Sequence, residues 1–205
     1  MLREGRSKQE QLQMLAHYYR HCTRCPLHQG RTQVVFGVGS PDSPLMIVGE
    51  GPGEQEDLQG EPFVGKAGQL LTKMLAAIGL RREDVYITNI VKCRPPNNRT
   101  PLDEEMDACI PILRQQFAVI RPRLLLTLGA AATRAIIDRN ARITKIRGQW
   151  FERHGVRMMA TYHPAYLLRN PAKKVEAWED LQAVRAALDA LADDASFTKH
   201  SESNG

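Results

Sequence analysis

Four short apolar runs, at residues 45–48, 85–90, 123–128 and 156–162, divide the chain and read as buried strands. Helical periodicity fills most of the intervals between them. Residues 66–79 carry Leu70, Leu71, Met74, Leu75 and Ile78 at helical spacing. Residues 101–120 follow Thr100 as an N-cap, with Pro101 at the first helical position and Asp103 completing a capping box. A final helix, predicted over about 172–192, sets Val175, Trp178, Leu181, Val184, Leu188 and Leu191 on one face. Strand alternating with helix implies parallel strands in a three-layer α/β/α sandwich. With no internal repeat and no linker, one domain is expected over residues 1–192, followed by a polar tail at 193–205 without fixed structure.

Each predicted strand ends in a residue a site can use: Glu50, Asn89, Gly129 and His163. In a parallel sheet these four ends share one edge, where open α/β sheets bind ligands. Taken singly, each has an ordinary explanation, such as Asn89 capping a turn or His163-Pro164 opening a helix. An acid, an amide and an imidazole on one edge are harder to explain as packing. The first strand runs into the loop GEGPG (49–53), where Gly49, Gly51 and Gly53 carry no side chain and a flat ligand can approach the main chain.

Residues 60–67, GEPFVGKA, nearly match a phosphate-binding loop, but Ala67 stands where the magnesium-binding hydroxyl belongs. Nucleotide hydrolysis is therefore not expected. The segment reads as a loop lined by Phe63, leading into a helix whose N-terminus faces a phosphate.

Composition narrows the class. The 205 residues are 42% hydrophobic and 25% charged, ordinary values for a globular protein. No apolar run approaches the ~20 residues of a membrane span, so no membrane partner is expected. The charged opening MLREGRSKQEQLQML is unlike a signal peptide, and a reducing cytoplasm is the expected compartment. The net charge of +5 is uneven: the tail carries −2 and residues 1–192 carry +7, which suits a polyanionic partner.

The four cysteines suggest a closed four-thiolate site. Cys22 and Cys25 form a C-x2-C pair followed by Pro26, a poor way to fill a core, while Cys93 and Cys109 lie far downstream. A reducing compartment argues against disulfides. Zinc and an iron–sulfur cluster both suit four thiolates, and the spacing does not choose between them.

Taken together, GEGPGEQED (49–57), EPFVGKAG (61–68), ITNIVKCRPPNNRTP (87–101), RGQW (147–150), HPAYLLR (163–169) and the cysteine positions resemble the iron–sulfur uracil-DNA glycosylases, family 4 of their superfamily. The resemblance spans roughly residues 20–190, with separated motifs agreeing in order and spacing. It implies a four-stranded parallel sheet between helices and a [4Fe–4S] cluster on Cys22, Cys25, Cys93 and Cys109. It also implies removal of uracil from single- or double-stranded DNA, by an enzyme expected to be a monomer. In another branch of the superfamily the loop reads G-Q-D-P-Y, with an aspartate activating water and a tyrosine blocking thymine. Here those positions are Gly51 and Gly53, so the carboxylate moves one place back, to Glu50.

The resemblance gives the residues roles. Glu50 orients or deprotonates water, and His163 stabilises negative charge on the departing base. Asn89 reads uracil N3–H and O4, Phe63 stacks on the base, and Gly49, Gly51 and Gly53 shape the pocket. Arg147 and Arg169 are expected at DNA phosphates, and Leu167 or Leu168 in the space the base leaves. A DNA- or RNA-binding module without catalysis explains the charge and the cysteines, but gives Glu50, Asn89 and His163 no purpose. The related type that crosslinks to DNA carries a histidine-bearing insertion after the asparagine strand. Here that loop, KCRPPNNRTP (92–101), is short and has no histidine.

Overall fold

The computed structural model describes residues 5–202. Its core is one sheet of six strands in the order β1-β3-β2-β4-β6-β5. The four expected strands form its parallel centre: β2 (Leu45–Gly49), β3 (Tyr86–Asn89), β4 (Leu124–Leu128) and β6 (Val156–Thr161). Two further strands correct the four-strand expectation. The two-residue β1 (Val38–Gly39) and β5 (Trp150–Arg153) pair antiparallel at the edges. β1 is too short to show alternation, and β5 is only half-buried at Trp150 and Phe151 and exposed beyond them.

The pleat distributes the strand side chains between two cores. Met46 and Val48 of β2 face one side, with Leu125 of β4 and Met158 of β6. That side is covered by α1 (Lys8–Tyr19), α4 (Asp103–Ile120) and α5 (Ala130–Ile136). Leu45, Ile47, Leu124, Leu126 and Met159 face the other side. There α3 (Lys66–Ala77), α7 (Pro164–Arg169) and α8 (Lys174–Glu202) cover them. The result is the expected three-layer sandwich.

Topology then positions a site. The chain leaves β2 for β3 on one side, and returns past β2 to reach β4 and β6 on the other. The crossover direction reverses between β2 and β4, and the crevice beyond their carboxyl ends is the switch point of the sheet.

Several helix boundaries differ from expectation. The N-cap of α4 is Leu102 rather than Thr100, and Glu105, not Asp103, accepts the capping N–H at 2.8 Å. In α8 the buried stripe is Ala177, Leu181, Val184 and Ala187, whereas Val175 and Trp178 are exposed. This helix continues through Glu202, into the segment expected as a polar tail, and residues 203–205 lie outside the described residues. Among the described residues no helix is long and apolar enough to cross a membrane.

Candidate active site

The four strand ends meet. Glu50, Asn89, Gly129 and His163 all line one cleft of about 680 Å³ at the switch point, with Phe63 and Arg169 among the other lining residues. That volume lies within the range of small-molecule sites.

The glycine loop works differently from the expectation. A Cβ on Gly49 would stand 2.4 Å from both Asn89 Oδ1 and Phe63 Cζ. One on Gly51 would lie 2.7 Å from Val91 Cγ2, and one on Gly53 2.8 Å from Glu56 Oε2. The space these glycines release is filled by the protein's own side chains. Gly49 in particular lets an aromatic ring and an amide close over the end of β2.

Past the loop, α2 (Glu54–Gln59) brings two acids inward that composition alone would assign to a solvated surface. Glu56 accepts the backbone N–H groups of Gly53 (3.1 Å), Val64 (2.9 Å) and Gly65 (2.7 Å). The loop before α3, expected to face a phosphate, thus gives two of its donors to an internal carboxylate. Asp57, 2% exposed, accepts the N–H of Thr32 with both oxygens, at 2.9 and 3.0 Å. Together they tie the site loop to the segments on either side.

Phe63 is buried and held at φ +56°, a left-handed conformation for an aromatic residue. Such strain costs about 1–3 kcal/mol and persists only where neighbours over-determine it. Its ring centroid lies 5.6 Å from that of His163, with the planes tilted by 31°. Gly68 is obligatory beneath it, since a Cβ there would fall 1.8 Å from the Phe63 carbonyl oxygen.

Asn89 is 1% exposed, and its Oδ1 is the one buried side-chain N or O atom without a hydrogen-bond partner among the described residues. Buried polar atoms are nearly always satisfied, and an orphan on a residue that lines a cleft marks a place for a donor. The Asn89 backbone is fixed from behind. Fully buried Lys92 donates to the Asn89 carbonyl (2.7 Å), to Thr88 Oγ1 (2.5 Å) and to Gln116 Oε1 (2.6 Å).

The two candidate catalytic groups have opposed electrostatics. Burial raises the Glu50 carboxyl above its ordinary value of 4.5, opposed by the Thr100 hydroxyl and the positive charge of Arg134. Glu50 is thus a carboxylate poorly compensated by its surroundings and correspondingly basic. His163 is pushed down to about 4, chiefly by burial and then by Arg169. Its Nδ1 accepts the Ala165 N–H at 3.1 Å, so the neutral ring carries its proton on Nε2. Gly129 turns at φ +88°, and a Cβ there would stand 2.9 Å from His163 Cβ.

The residues expected at DNA divide. Arg169 lines the cleft, and Leu168 is 43% exposed beside it. Leu167 is 1% exposed and belongs to the core that α3, α7 and α8 form over one face of the sheet, so it is no wedge. Arg147 is committed elsewhere: its guanidinium bonds both Asp180 oxygens, at 2.5 and 3.0 Å, and the Glu176 carbonyl at 2.6 Å. Its charge is spent on fixing α8 to the sheet rather than offered to phosphate.

The loop joining β3 to α4 forms another wall, with Pro95, Asn98, Arg99 and Thr100 lining the cleft. Arg99 clamps buried Glu105 through two bonds of 2.8 and 2.7 Å. Cys109 lies one helical turn beyond Glu105 on α4. On the far side of this loop Cys22, Cys25, Cys93 and Cys109 line a second, small cavity together with Arg31 and Lys92. Arg31 donates to Cys93 Sγ at 3.1 Å and to the Cys22 carbonyl at 2.7 Å. Among the described residues no group of three His, Cys, Asp or Glu side chains is arranged to hold a single metal ion.

A mostly parallel sheet between helices, with an acid, an amide and a neutral imidazole at its switch point, is the framework of an α/β enzyme. The chain belongs to the uracil DNA glycosylase superfamily, whose family profile matches residues 36–182. Its relatives include the type-4 uracil-DNA glycosylase of Thermotoga maritima, 45% identical over 188 residues that cover 89% of this chain and 97% of that one. The type-4 enzyme of Pyrobaculum aerophilum is 45% identical over 178 residues, 83% of this chain and 91% of its own. That of Archaeoglobus fulgidus is 46% identical over 171 residues, 80% and 86% of the two chains.

Proposed function

We propose that this chain is a uracil-DNA glycosylase of the type-4 kind, which hydrolyses the N-glycosidic bond of deoxyuridine in DNA and leaves an abasic site. The observation that carries this reading is the orphaned Oδ1 of Asn89, a residue that lines the cleft together with a neutral His163. Uracil supplies the missing partner. Its N3–H donates to Oδ1, and its O4 accepts from the same amide. Cytosine presents a bare N3 and an amino group, reversing both, at roughly 1–3 kcal/mol for each unsatisfied group.

The chemistry follows from the charges. The base leaves the DNA stack, at a cost of a few kcal/mol, and rests against Phe63. As the C1′–N1 bond breaks, its electron pair passes to N1 and is shared with O2. The His163 Nε2–H donates to that oxygen. A neutral donor suits this task, because no proton need be lost before the next turnover. Glu50 takes a proton from water as the water oxygen bonds to C1′, and its negative charge also favours the cationic sugar. The uracil anion is then protonated from solvent, to which Glu50 releases the proton it took. Arg169 is assigned to a flanking phosphate, and Leu168 to the space vacated by the base.

The four cysteines line one cavity and fit a [4Fe–4S] cluster, the group that the type-4 resemblance favours over zinc for such a thiolate set. Arg31 and Lys92 supply positive charge beside an anionic thiolate set. Hydrolysis transfers no electron, so a cluster held by Cys22, Cys25, Cys93 and Cys109 would supply a covalent cross-link. The cysteines would join the 22–25 segment to both ends of the loop that walls the cleft. A monomer acting on DNA in a reducing cytoplasm completes the proposal.

The test is incubation with a uracil-containing oligonucleotide followed by alkali. Strand breakage confined to the uracil position is expected. An intact strand under single-turnover conditions refutes the reading and leaves a binding module.

A further inference from the structure

The strained Phe63 has an anchor outside the cleft. Arg82, in the 3₁₀ turn Arg82–Asp84 that leads into β3, donates Nη1 to the Phe63 carbonyl at 2.9 Å. Its Nη2 donates to the Pro62 carbonyl at 2.7 Å, with Glu61 at 3.4 Å completing the ion pair. One planar guanidinium thus grips two consecutive carbonyls of a loop that has no regular structure of its own. From the other direction Glu56 takes the N–H groups of Val64 and Gly65. The peptide groups on both sides of the left-handed residue are therefore held by charged side chains. A charged donor makes a stronger bond than a neutral one, and a fork that matches two acceptors fixes direction as well as distance.

We propose that Arg82 is a positioning residue for base binding: its two-carbonyl clamp holds Phe63 in the left-handed conformation that sets the ring beside Gly49, Asn89 and His163. This rests on the reading of the cleft as a uracil site with Phe63 as its stacking surface. Arg82 is not among the residues that line the cleft. Its second consequence is mechanical. Arg82 stands just before β3, and Asn89 ends that strand. The clamp therefore ties the stacking surface to the element that carries the recognition amide. Released from the clamp, residue 63 is free to relax to an ordinary backbone conformation, carrying the ring away from the base.

The experiment compares wild type, Arg82→Ala and Arg82→Lys in the full-length protein. Two affinities are measured for each, one for free uracil and one for an abasic-site oligonucleotide. Arg82→Ala should bind uracil about tenfold more weakly, the equilibrium equivalent of the strain the clamp offsets, with abasic DNA affinity unchanged. Arg82→Lys, which replaces a two-pronged donor by a point charge, should fall between them. The Arg82 side chain is 20% exposed, so the deleted group can be reached from solvent. Millimolar guanidinium should restore part of the uracil affinity in Arg82→Ala and none in Arg82→Lys. Unchanged uracil affinity in Arg82→Ala overturns the proposal. So does an equal loss of both affinities without guanidinium rescue, which marks a merely structural arginine. If Arg82→Ala does not fold, the same two affinities in Arg82→Lys decide. A wild-type protein that neither binds nor releases uracil refutes the underlying function instead.

Discussion

Asn89→Ala separates function from stability in a way few buried polar substitutions do. Asn89 Oδ1 is buried without a partner, and such an atom costs the ligand-free protein about 1–3 kcal/mol. Truncation to alanine returns that penalty and forfeits the packing of the amide, a loss of similar size for a few buried atoms. The ligand-free protein should stay within about 1 kcal/mol of wild type, a Tm change within roughly 2–4 °C for a chain of this length. Gln116 is the control. It is an equally buried amide, but bonded to Tyr86 Oη (3.0 Å), the Phe36 carbonyl (2.8 Å) and Lys92 (2.6 Å). Gln116→Ala strands those groups and should cost roughly 3 kcal/mol or more. Base release should show the reverse order. Asn89→Ala loses the contacts to uracil, and by analogy with other single-donor deletions should slow single-turnover release about 10²–10³-fold. Uracil at a hundred times its Kd should raise the wild-type Tm by roughly 5–10 °C and leave Asn89→Ala unmoved. Differential scanning calorimetry with and without uracil, beside quenched single-turnover assays, measures all of this. If Asn89→Ala melts as far below wild type as Gln116→Ala does, the amide is a structural group and the reasoning fails.

Three further outcomes follow from the site's electrostatics and its cysteines. Glu50→Gln removes a base while keeping shape, so it should slow base release about 10²–10⁴-fold with DNA affinity unchanged. Because burial raises the folded Glu50 pKa, its favourable contribution to stability is present below 4.5 and lost as pH rises through the raised value. Glu50→Gln should therefore melt higher than wild type at pH 7 and equal to it in acid; a lower Tm at pH 7 contradicts the assigned burial. His163, held down to about 4, should stay neutral by NMR from pH 8 to about 5. Its contribution to stability is complete above the ordinary 6.5 and lost as pH falls through about 4; a midpoint near 6.5 refutes the neutral donor. Purified protein should be brown, with iron and sulfide near stoichiometry. Cys109→Ala should lower soluble yield far more than it alters the chemistry of the protein that survives, whereas colourless, active, zinc-containing protein rules out the cluster.

Much of the site was legible because its residues terminate strands. An apolar run followed by Glu50, Asn89 or His163 gives both the element and the edge, and parallel topology brings the ends together. What the chain concealed lies in contacts distant in sequence. Arg147 has a basic, exposed-looking context, yet Asp180, 33 residues on, captures it. Leu167 and Leu168 are neighbours of one type, and only the packing of α7 against the sheet tells core from surface. Glu56 and Asp57 sit in an acidic run that resembles a solvated tail, because the N–H groups that draw them inward carry no signature of their own. The left-handed Phe63 was equally invisible, since an aromatic residue is the last one propensity assigns to that conformation. The run of glycines signals a need for space, but that space belongs to Phe63, Asn89, Val91 and Glu56.

The central claim is that this cleft selects uracil and cuts its bond to the sugar. The direct test is mass spectrometry of free bases released from one duplex containing deoxyuridine beside the four ordinary nucleotides. Uracil should appear in an amount equal to the abasic sites formed, with no cytosine or thymine, and Glu50→Gln should release it far more slowly. No free base from the wild-type protein, or cytosine released as readily as uracil, would contradict the account.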